Sequence, residues 1–409
     1  MTAIFALWNA NGFALAADSN QTISEPGQIW IDPVQKIFPL ENHQVAFGGA
    51  GDASVDLVDV TVLVSTWSKQ VPSPLPFLED YVVSFLEWFN DQNLPSNSPR
   101  LDLEEFDENL EEAVNALNED FPNFKKADPE QILDFLATAL IVPRSVLGLN
   151  IYGGRYSQLE INHLSYEDEV DALSYEKISN INKRVRNHRI NSENYRISMA
   201  ESRERYFARA SQVFPEIVGE AFDPTLGWHV ALIDSLIELH ENLVFPEATF
   251  ARCMLIGYGE QDWIPRAVVF RMYDSDWGVR QVAIERVCDP HAQWYVSIGI
   301  SSGVSDLARG FSNDFQESLL EISSKTLDEP TSSDLMGRLF ALGRERSQQS
   351  LNRIDSLTVR RLEFVARLFV ELEALKSYLN EPLPGVGGDV QYITMTKNST
   401  KSGVYHEYN

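Results

Sequence analysis

Short apolar runs alternate with polar turns over the first fifty residues. Residues 2–8 and 13–17 are almost entirely apolar, and Asn11-Gly12 lies in the turn between them. Asn-Gly flanked by two apolar runs is the strongest short-range signal for a β-hairpin. The opening of the chain is therefore predicted to be a pair of antiparallel strands.

A second hairpin is predicted a little further on. Residues 37–40 and 44–47 repeat the apolar pattern and turn at Glu41-Asn42-His43. The stretch 20–33 between the two hairpins is predicted to be a polar connection. Asp52 is then predicted to cap a helix that runs to about residue 67.

The middle of the chain has the periodicity of helices. Apolar residues recur three and four positions apart over 77–89, and the acidic run 101–120 keeps one apolar face. Asp128-Pro129-Glu130 is a helix start, because a capping carboxylate precedes proline at the first helical position. We interpret residues 68–225 as a mainly helical insertion, in which the basic stretch 178–210 is a solvated helix face.

The last part of the chain mixes both patterns. Helices are predicted over 228–243, 304–320 and 358–379, and strands over 250–258, 267–273 and 295–300. Strand pairs that alternate with helix pairs suit an α+β protein built as a four-layer α-β-β-α sandwich. The predicted division is one domain over 1–67 and 226–397, the helical insertion between them, and a C-terminal tail over 398–409.

Composition narrows the classes of partner. The formal net charge is −27 over 409 residues. Nucleic-acid binding needs a clustered excess of basic residues, so that class of partner is disfavoured. Cys253 and Cys288 are the only cysteines and lie far apart, which fits a reducing compartment. We therefore expect a cytoplasmic location.

Membrane, secretion and metal signals are weak. No apolar run reaches the roughly 18 residues that a membrane helix needs. Residues 14–17 mimic a signal-peptidase site, but no basic segment precedes them, so the hairpin interpretation is preferred. His240-Glu241 lacks the second histidine of a zinc helix, and no metal or other cofactor is expected.

Thr2 carries the candidate chemistry. An aminopeptidase can remove Met1 before a small residue, which would leave Thr2 at the N-terminus. The hydroxyl of an N-terminal threonine is a nucleophile, and its own α-amine can take the proton. An α-amine suits this task near neutral pH because its ordinary pKa is roughly 7.7–8.0. The alternative is that Thr2 simply begins a strand.

Such a site needs three further groups. They are a cation that favours the neutral amine, a carboxylate that orients the cation, and backbone N–H groups for the oxyanion. Lys36, Asp18 and Gly48 are the candidates. Each has an ordinary interpretation too, as a solvent-facing strand lysine, a turn cap and a turn glycine.

Five features in this order resemble the N-terminus of proteasome β-type subunits and of their bacterial relatives HslV and Anbu. These proteins are N-terminal-nucleophile (Ntn) hydrolases. The features are Thr2, Asn11-Gly12, Ala16-Ala17-Asp18-Ser19, Lys36-Ile37-Phe38 and Gly48-Gly49-Ala50-Gly51-Asp52. The resemblance covers roughly residues 1–67 and 226–397, and its last feature is a strand that Gly387-Gly388 opens. It implies the Ntn-hydrolase form of the four-layer sandwich.

The resemblance implies a threonine-type endopeptidase that works through an acyl-enzyme. Ser302, with Ser301 as a close rival, matches the family's serine near the nucleophile, although a helix cap is an equal interpretation. Ala46 and Ala50 match positions that line the family's specificity pocket, and two small residues suggest a pocket open to larger side chains. Polypeptide substrates, a homo-oligomeric ring and an ATP-dependent unfoldase are the expected partners.

The late part of the family pattern is altered in this chain. The family has Asp-x-x-Ser-Gly-Gly, whereas Leu383 and Val386 stand in the positions of the Asp and the Ser. Two alternatives therefore stay open. One is a catalytically inactive structural or adaptor subunit that keeps Met1 and acts through its insertion. The other is a small-molecule amidase with the same N-terminal chemistry.

Overall fold

The computed structural model has a mixed α+β fold. It describes residues 2–92, 103–136, 193–242, 250–273, 282–288, 295–299, 353–380 and 386–405, with short gaps at 26–27, 52–53, 56–57 and 122, together with individual positions within 177–188 and 301–349. The strands are β1 (Ala3–Asn9), β2 (Gly12–Asp18), β3 (Asn20–Glu25), β4 (Gln28–Pro33), β5 (Ile37–Pro39), β6 (Val45–Gly51), β7 (Ser54–Val55), β8 (Val58–Asp59), β9 (Phe250–Gly257), β10 (Arg266–Tyr273), β11 (Val282–Cys288), β12 (Tyr295–Gly299), β13 (Val390–Thr396) and β14 (Ser399–Tyr405). The α-helices are α1 (Val60–Ser68), α2 (Leu78–Asp91), α3 (Leu103–Asp120), α4 (Pro129–Leu136), α5 (Glu193–Ile217), α6 (Gly227–Asn242) and α7 (Val359–Asn380), with a 3₁₀ turn over Phe124–Lys126.

The first sheet has the strand order β12-β1-β2-β13-β14, and all its neighbouring strands are antiparallel. Its centre is the opening hairpin, whose prediction is confirmed by the pairing of Ile4 with Ala17 and of Asn9 with Gly12. Gly12 has a φ of +148°, and a Cβ there would lie 2.4 Å from the carbonyl oxygen of Met395. Only glycine permits this approach of β13 to the turn.

The second sheet has the strand order β11-β10-β9-β6-β5 and is also antiparallel. The second predicted hairpin is confirmed, with Ile37 opposite Gly48. β9 and β10 agree with the strands predicted over 250–258 and 267–273. This sheet therefore joins the N-terminal segment to the later part of the chain.

The two sheets enclose an apolar core between them. Alternate residues of β1 point into it, as the pleat of a strand requires. The core includes Ile4, Ala6, Trp8, Leu15, Ala17, Ala46, Met254, Ile256, Val269 and Ile393. Ala3, Phe5 and Leu7 of β1 point to the other face of the sheet. There they pack against α7, which contributes Leu362, Ala366 and Val370. Burial on both faces explains why the opening strands are apolar except at their last residues, Asn9 and Asp18.

The outer face of the second sheet is covered by α1 and α2. Trp67 of α1 and Phe85 of α2 meet edge to face with their ring centroids 5.2 Å apart, and Phe85 also packs on Phe270 of β10 at 5.9 Å. α2 lies within the range 68–225 that was predicted to be an insertion. Its buried side chains nevertheless belong to the same cluster as those of the second sheet.

Helices alone build a further apolar cluster, here called the helical cluster. It contains buried side chains of α3, α4, α5 and α6, among them Phe106, Leu110, Ile132, Tyr206, Phe214 and Leu232. The ring centroids of Phe106 and Tyr206 are 4.6 Å apart, and Arg209 of α5 forms an ion pair with Asp107 of α3. The range 226–397, which contains α6, was predicted to form one domain with residues 1–67, yet the buried side chains of α6 pack in this cluster.

Two expectations about the N-terminal region are wrong. Residues 20–33 form the hairpin β3-β4 rather than a polar connection, because Ile23 and Trp30, which pair across it, favour strands. The helix predicted after Asp52 begins only at Val60. There the carboxylate of Asp59 accepts the N–H of Thr61 at 2.6 Å and caps the helix.

The range predicted to be a C-terminal tail contains a strand over residues 399–405. These residues form β14, which pairs with β13 from Thr396 opposite Ser399 to Val390 opposite Tyr405. The edge of β13 offers a row of backbone hydrogen-bonding groups, and the returning chain satisfies them. Over the described part of the chain, every helix is too short or too polar to cross a bilayer.

Candidate functional site

Thr2 immediately precedes β1 and is half-buried. The next residue, Ala3, pairs with Gly299 at the end of β12. Gly299 has a φ of +82°, and a Cβ there would lie 2.0 Å from the carbonyl oxygen of Thr2. The backbone of Thr2 is therefore held closely against β12, whereas Met1 lies outside the described residues.

Asp18 ends β2 beside this point and is completely buried, with 0% of its surface exposed. Its Oδ1 accepts the N–H of Ala3 at 2.8 Å, and its Oδ2 accepts the N–H of Gly387 at 3.3 Å. The hairpin register that pairs Ile4 with Ala17 brings the end of β2 to the start of β1. The local fold thus delivers the carboxylate to the residue that follows Thr2.

Lys36 immediately precedes β5 of the second sheet. Its Nζ lies 2.9 Å from Oδ1 of Asp18 and also donates to the carbonyl oxygen of Asn20. Its side chain is 5% exposed. Because Oδ1 of Asp18 accepts from both Ala3 and Lys36, the ammonium lies within two hydrogen-bond lengths of the peptide nitrogen that follows Thr2.

Burial opposes the charged forms of this pair. It raises the pKa of Asp18 above its ordinary value and lowers the pKa of Lys36. The mutual attraction of the two charges acts in the opposite direction for both groups, and the N–H groups of Ala3 and Gly387 also favour the carboxylate. A positive charge at this place would lower the pKa of a free α-amine on Thr2.

Gly48 lies in the interior of the second sheet, opposite Ile37 on one side and Met254 on the other. The N–H of the next residue, Gly49, donates to the carbonyl oxygen of Lys36 at 3.0 Å. This bond commits the N–H of Gly49 to the sheet and ties the backbone of Lys36 to β6. The oxyanion role of Gly48 stays a prediction.

Ala46 and Ala50 are buried in the core between the sheets, with 0% and 6% of their surface exposed. They lie opposite Ile256 and Arg252 of β9. Their small side chains therefore contribute to the packing of the core. That they line a specificity pocket stays a prediction.

Ser302 lies outside the described residues, and its rival Ser301 is half-buried. The backbone after them is anchored, because the N–H groups of Gly303 and Val304 donate to the carboxylate of Glu373 at 3.1 and 2.7 Å. Glu373 lies on α7 and is buried. The sequence gives no signal that Glu373 accepts these bonds, since it lies about seventy residues after Gly303 and Val304.

The late turn Gly387-Gly388 is part of the site. Besides binding Asp18, Gly387 accepts the N–H of Asn20 at 3.2 Å. Gly388 has a φ of +75°, and a Cβ there would lie 2.4 Å from Oδ1 of Asn20. The preceding Val386, which replaces the serine of the family pattern, is buried. The glycine pair could be recognised in the sequence. The sequence does not indicate that the backbone of Asn20 binds it.

Among the side chains that the structure describes, no group of three His, Cys, Asp or Glu residues is placed to hold a metal ion. Two cysteines, Cys253 and Cys288, are free and buried. Burial raises the pKa of Cys288 to about 12, so its thiol is protonated at neutral pH. The thiolate is the nucleophilic form of cysteine, and this residue therefore has the properties of a core side chain.

No protein-family model matches the chain, and no curated protein matches it in sequence. Among solved structures, it is similar to an Anbu mutant from Hyphomicrobium sp. strain MC1, with a TM-score of 0.25 and 8% sequence identity. The match covers 99% of this chain and 87% of that chain.

Proposed function

We propose that this protein is a hydrolase of the N-terminal-nucleophile type, in which Thr2 with a free α-amine cleaves an amide bond. One observation carries the proposal: the buried Asp18–Lys36 pair is hydrogen-bonded to the N–H of the residue after Thr2. A buried ion pair is weak evidence for a stabilising role, because apolar residues of similar volume are often as good. A role in chemistry accounts for its position better.

The proposed reaction uses the two functional groups of Thr2. Its hydroxyl oxygen attacks the amide carbon, and the hydroxyl proton passes to the α-amine. The C–N bond breaks as that proton moves to the departing nitrogen, which leaves an ester on the threonine. Water then attacks the ester, gives a proton to the amine, and the acid product departs as the hydroxyl of Thr2 is restored.

Lys36 and Asp18 have distinct roles in this proposal. The ammonium of Lys36 disfavours a second positive charge, so it would hold the α-amine in its neutral, proton-accepting form. Asp18 would hold that ammonium in place through the contact at 2.9 Å. Its hydrogen bond from Ala3 would couple the position of the pair to that of the nucleophile.

The remaining predicted roles belong to the same proposal. Gly48 would supply an N–H for the oxyanion, and the loss of one such donor typically costs about 10²–10³ in rate. Ser302 would supply a hydroxyl near the nucleophile. Ala46 and Ala50 would be the small residues of a specificity pocket.

We also propose that the layers form the α-β-β-α sandwich typical of Ntn hydrolases. In support, α7 packs on the first sheet, the two sheets pack on each other, and α1 and α2 pack on the second sheet. In this proposal residues 1–67 and 226–397 form the catalytic unit and 68–225 the insertion. The buried side chains of α2 pack with the second sheet, and those of α6 pack in the helical cluster. In this proposal α2 would therefore belong to the catalytic unit and α6 to the insertion.

At the finest level we propose a threonine-type endopeptidase. The arrangement of Thr2, Asp18 and Lys36 in the sequence supports this choice through its resemblance to proteasome β-type subunits. By the same resemblance, the substrates would be polypeptides and the subunits would form a homo-oligomeric ring in the cytoplasm. An ATP-dependent unfoldase would supply unfolded chains.

A catalytically inactive structural or adaptor subunit is the second candidate. Two observations favour it: Val386 is buried where the family pattern has a serine, and Gly48 is flanked by paired strands on both sides. In that case Met1 would remain in place. An Ntn amidase for small molecules would share the Thr2 chemistry and differ only in its substrate.

The mature N-terminus separates the hydrolase from the inactive subunit. Intact-mass measurement of the purified protein is expected to give Thr2 as the first residue with an unmodified amine. Retained Met1 or an acetylated Thr2 would contradict the hydrolase, because the α-amine could no longer accept a proton. Fluorogenic peptides tested beside small amides then distinguish a peptidase from an amidase.

Thr2→Ala is expected to abolish hydrolysis, since alanine has no oxygen to attack the substrate. Its thermal unfolding should match that of the wild type, because Thr2 is only half-buried and lies before the first residue of β1. Thr2→Ser is the matched control and should retain activity, since it keeps the hydroxyl and the amine. Hydrolysis at the wild-type rate in Thr2→Ala would refute the assignment.

A further inference from the structure

Gln391 lies beside the Asp18–Lys36 pair, on β13 of the first sheet. It is opposite Ala17, the residue before Asp18. Ile393, the next residue on the same face of β13, is buried in the core between the sheets. Since side chains alternate along a strand, Gln391 is directed toward the second sheet.

The side-chain amide of Gln391 forms two hydrogen bonds with the chain that leads into β5. Its Oε1 accepts the N–H of Lys36 at 3.0 Å, and its Nε2 donates to the carbonyl oxygen of Val34 at 2.6 Å. The reverse orientation would set oxygen against oxygen, so the partners determine which way the amide points. The amide therefore pairs with the backbone on both sides of Gln35.

We propose that Gln391 is a positioning residue for Lys36, an inference that rests on the proposed function only for what Lys36 does. The backbone of Lys36 is held from two directions. Its N–H is bound by Gln391 of the first sheet, and its carbonyl oxygen by Gly49 of the second. Gln391 thus sets the spacing between the sheets at the edge where Asp18 meets Lys36.

The ion pair alone does not set this spacing. A lysine ammonium is a point charge on a flexible four-carbon stem, so it can follow a carboxylate while its backbone shifts. The backbone position decides where the ammonium lies relative to Thr2. A displacement of about 1 Å in a catalytic arrangement can cost about 10²-fold in rate.

Gln391→Met tests this role, because methionine keeps the length of the side chain and loses both hydrogen bonds. Gln35→Met is the matched control. It removes a hydrogen bond within the same loop, from Nε2 of Gln35 to the carbonyl oxygen of Ile37 at 3.1 Å, and leaves Gln391 in place. Two rates are measured on each native protein by mass spectrometry: hydrogen exchange of the Lys36 amide, and acetylation of Lys36 Nζ by an amine-reactive ester.

Gln391→Met is expected to raise both rates by roughly five- to tenfold, which corresponds to about one lost hydrogen bond. Gln35→Met should leave both near the wild-type values. Gln391→Glu is the second variant if Gln391→Met does not fold. It keeps the acceptor for Lys36, has no donor for Val34 at neutral pH, and should give intermediate rates. Rates equal to those of Gln35→Met in the folded Gln391 variants would overturn the inference.

Turnover provides a separate readout. With a hydrolysable peptide, Gln391→Met is expected to lower kcat by about 10–10²-fold and leave KM near its wild-type value, because Lys36 is misplaced while substrate contacts remain. Labelling of Lys36 does not depend on turnover. An inactive wild type would therefore contradict the proposed function alone, whereas unchanged labelling would contradict the role of Gln391 alone.

Discussion

At the scale of single residues, the Asp18–Lys36 pair is the most constrained feature of the site. Both side chains are buried, and the carboxylate of Asp18 accepts from Lys36, Ala3 and Gly387. A buried charge that loses its partner is strongly unfavourable, because water cannot replace the lost interaction. The pair therefore acts as a unit in stability as well as in the proposed chemistry.

Lys36→Met and Asp18→Asn are each expected to lower the free energy of unfolding by about 3–5 kcal/mol, since each leaves one buried charge unpaired. The double variant should cost clearly less than the sum of the two, because no isolated charge remains. Urea unfolding of the four proteins gives this double-mutant cycle. Strictly additive losses would show that the two side chains do not act as a pair in the folded protein.

Tyr258 provides a prediction for alkaline pH. It is buried, and burial raises its pKa to about 12 from an ordinary value of 10.0. The folded protein therefore retains the phenol proton to a higher pH than the unfolded chain does. Its contribution to stability is present below pH 10 and is lost as the pH rises toward 12, with roughly 1 kcal/mol lost at pH 11.

Urea unfolding of the wild type and of Tyr258→Phe at pH 9 and pH 11 measures that loss. Phenylalanine does not ionise, so the wild type should lose more stability than the variant over this interval. Other titrating groups affect both proteins equally and cancel in the comparison. A parallel fall in the two proteins would contradict the raised pKa.

At the scale of elements, the junction of β1 and β12 fixes the backbone of Thr2, the nucleophile of the proposed reaction. Ala3 pairs with Gly299, and the backbone of Gly299 passes directly against the carbonyl of Thr2. The end of β2 approaches from the other side and brings Asp18. Three strands of one sheet thus converge on Thr2, and an error in the register of any of them would displace the site.

Gly299→Ala is expected to lower the free energy of unfolding by about 2–5 kcal/mol, because the residue has a positive φ and a Cβ would collide with Thr2. Gly219→Ala is the matched control. Gly219 also has a positive φ, of +76°, but nothing lies within 4 Å of a Cβ there. Its substitution should cost only about 1–2 kcal/mol. Equal losses in thermal or urea unfolding would show that β12 does not press on Thr2.

At the scale of the whole molecule, the apolar residues form separate clusters. The sheets and their covering helices share three of them, and α3 to α6 enclose the helical cluster. Among the described residues, the buried members of the helical cluster are distinct from those around the sheets. The two parts of the molecule can therefore respond separately to a local loss of packing.

Leu232→Ala, in the helical cluster, is expected to cost about 2–5 kcal/mol locally, because it leaves a cavity in a packed core. Hydrogen exchange followed by mass spectrometry should show faster exchange in α3, α5 and α6 and unchanged protection in β1 and β2. Leu15→Ala, in the core between the sheets, should show the reverse. Faster exchange in both parts for either variant would mean that the molecule opens as one cooperative unit.

The two N-terminal hairpins could be predicted from the sequence because their signals are local. Asn11-Gly12 and the apolar runs beside it are close in the chain, and so is the turn before Val45. The start of α1 could not be predicted in the same way. Asp52 and Asp59 are both good caps by residue type. Asp52 itself lies outside the described residues, and Val55 pairs with Val58 before the helix that Asp59 caps.

In the candidate site, too, some residues could be chosen from the sequence and others could not. Asp18 and Lys36 could be selected by residue type and order, since their chemistry depends on the side chains themselves. The strand β14 was missed, because its pairing depends on β13 being in place. The hairpin β3-β4 pairs only with itself among the described residues. It was missed because its polar residues, with Gly27 and Pro33, indicated a connection. Glu373 and Gln391 were missed as well, since each binds backbone groups that are distant in sequence.

By itself, the sequence determined the opening hairpins and the residue types that gather at Thr2, because these depend on short-range preferences and on side-chain chemistry. Only the tertiary structure decided which groups complete the site. The carbonyl oxygen of Asn20 and the N–H of Gly387 are backbone groups, which nearly every residue carries, so no side-chain pattern indicates which of them will meet a buried charge. Their selection follows from the packing of two sheets, each of which combines strands of the N-terminal segment with strands from later in the chain.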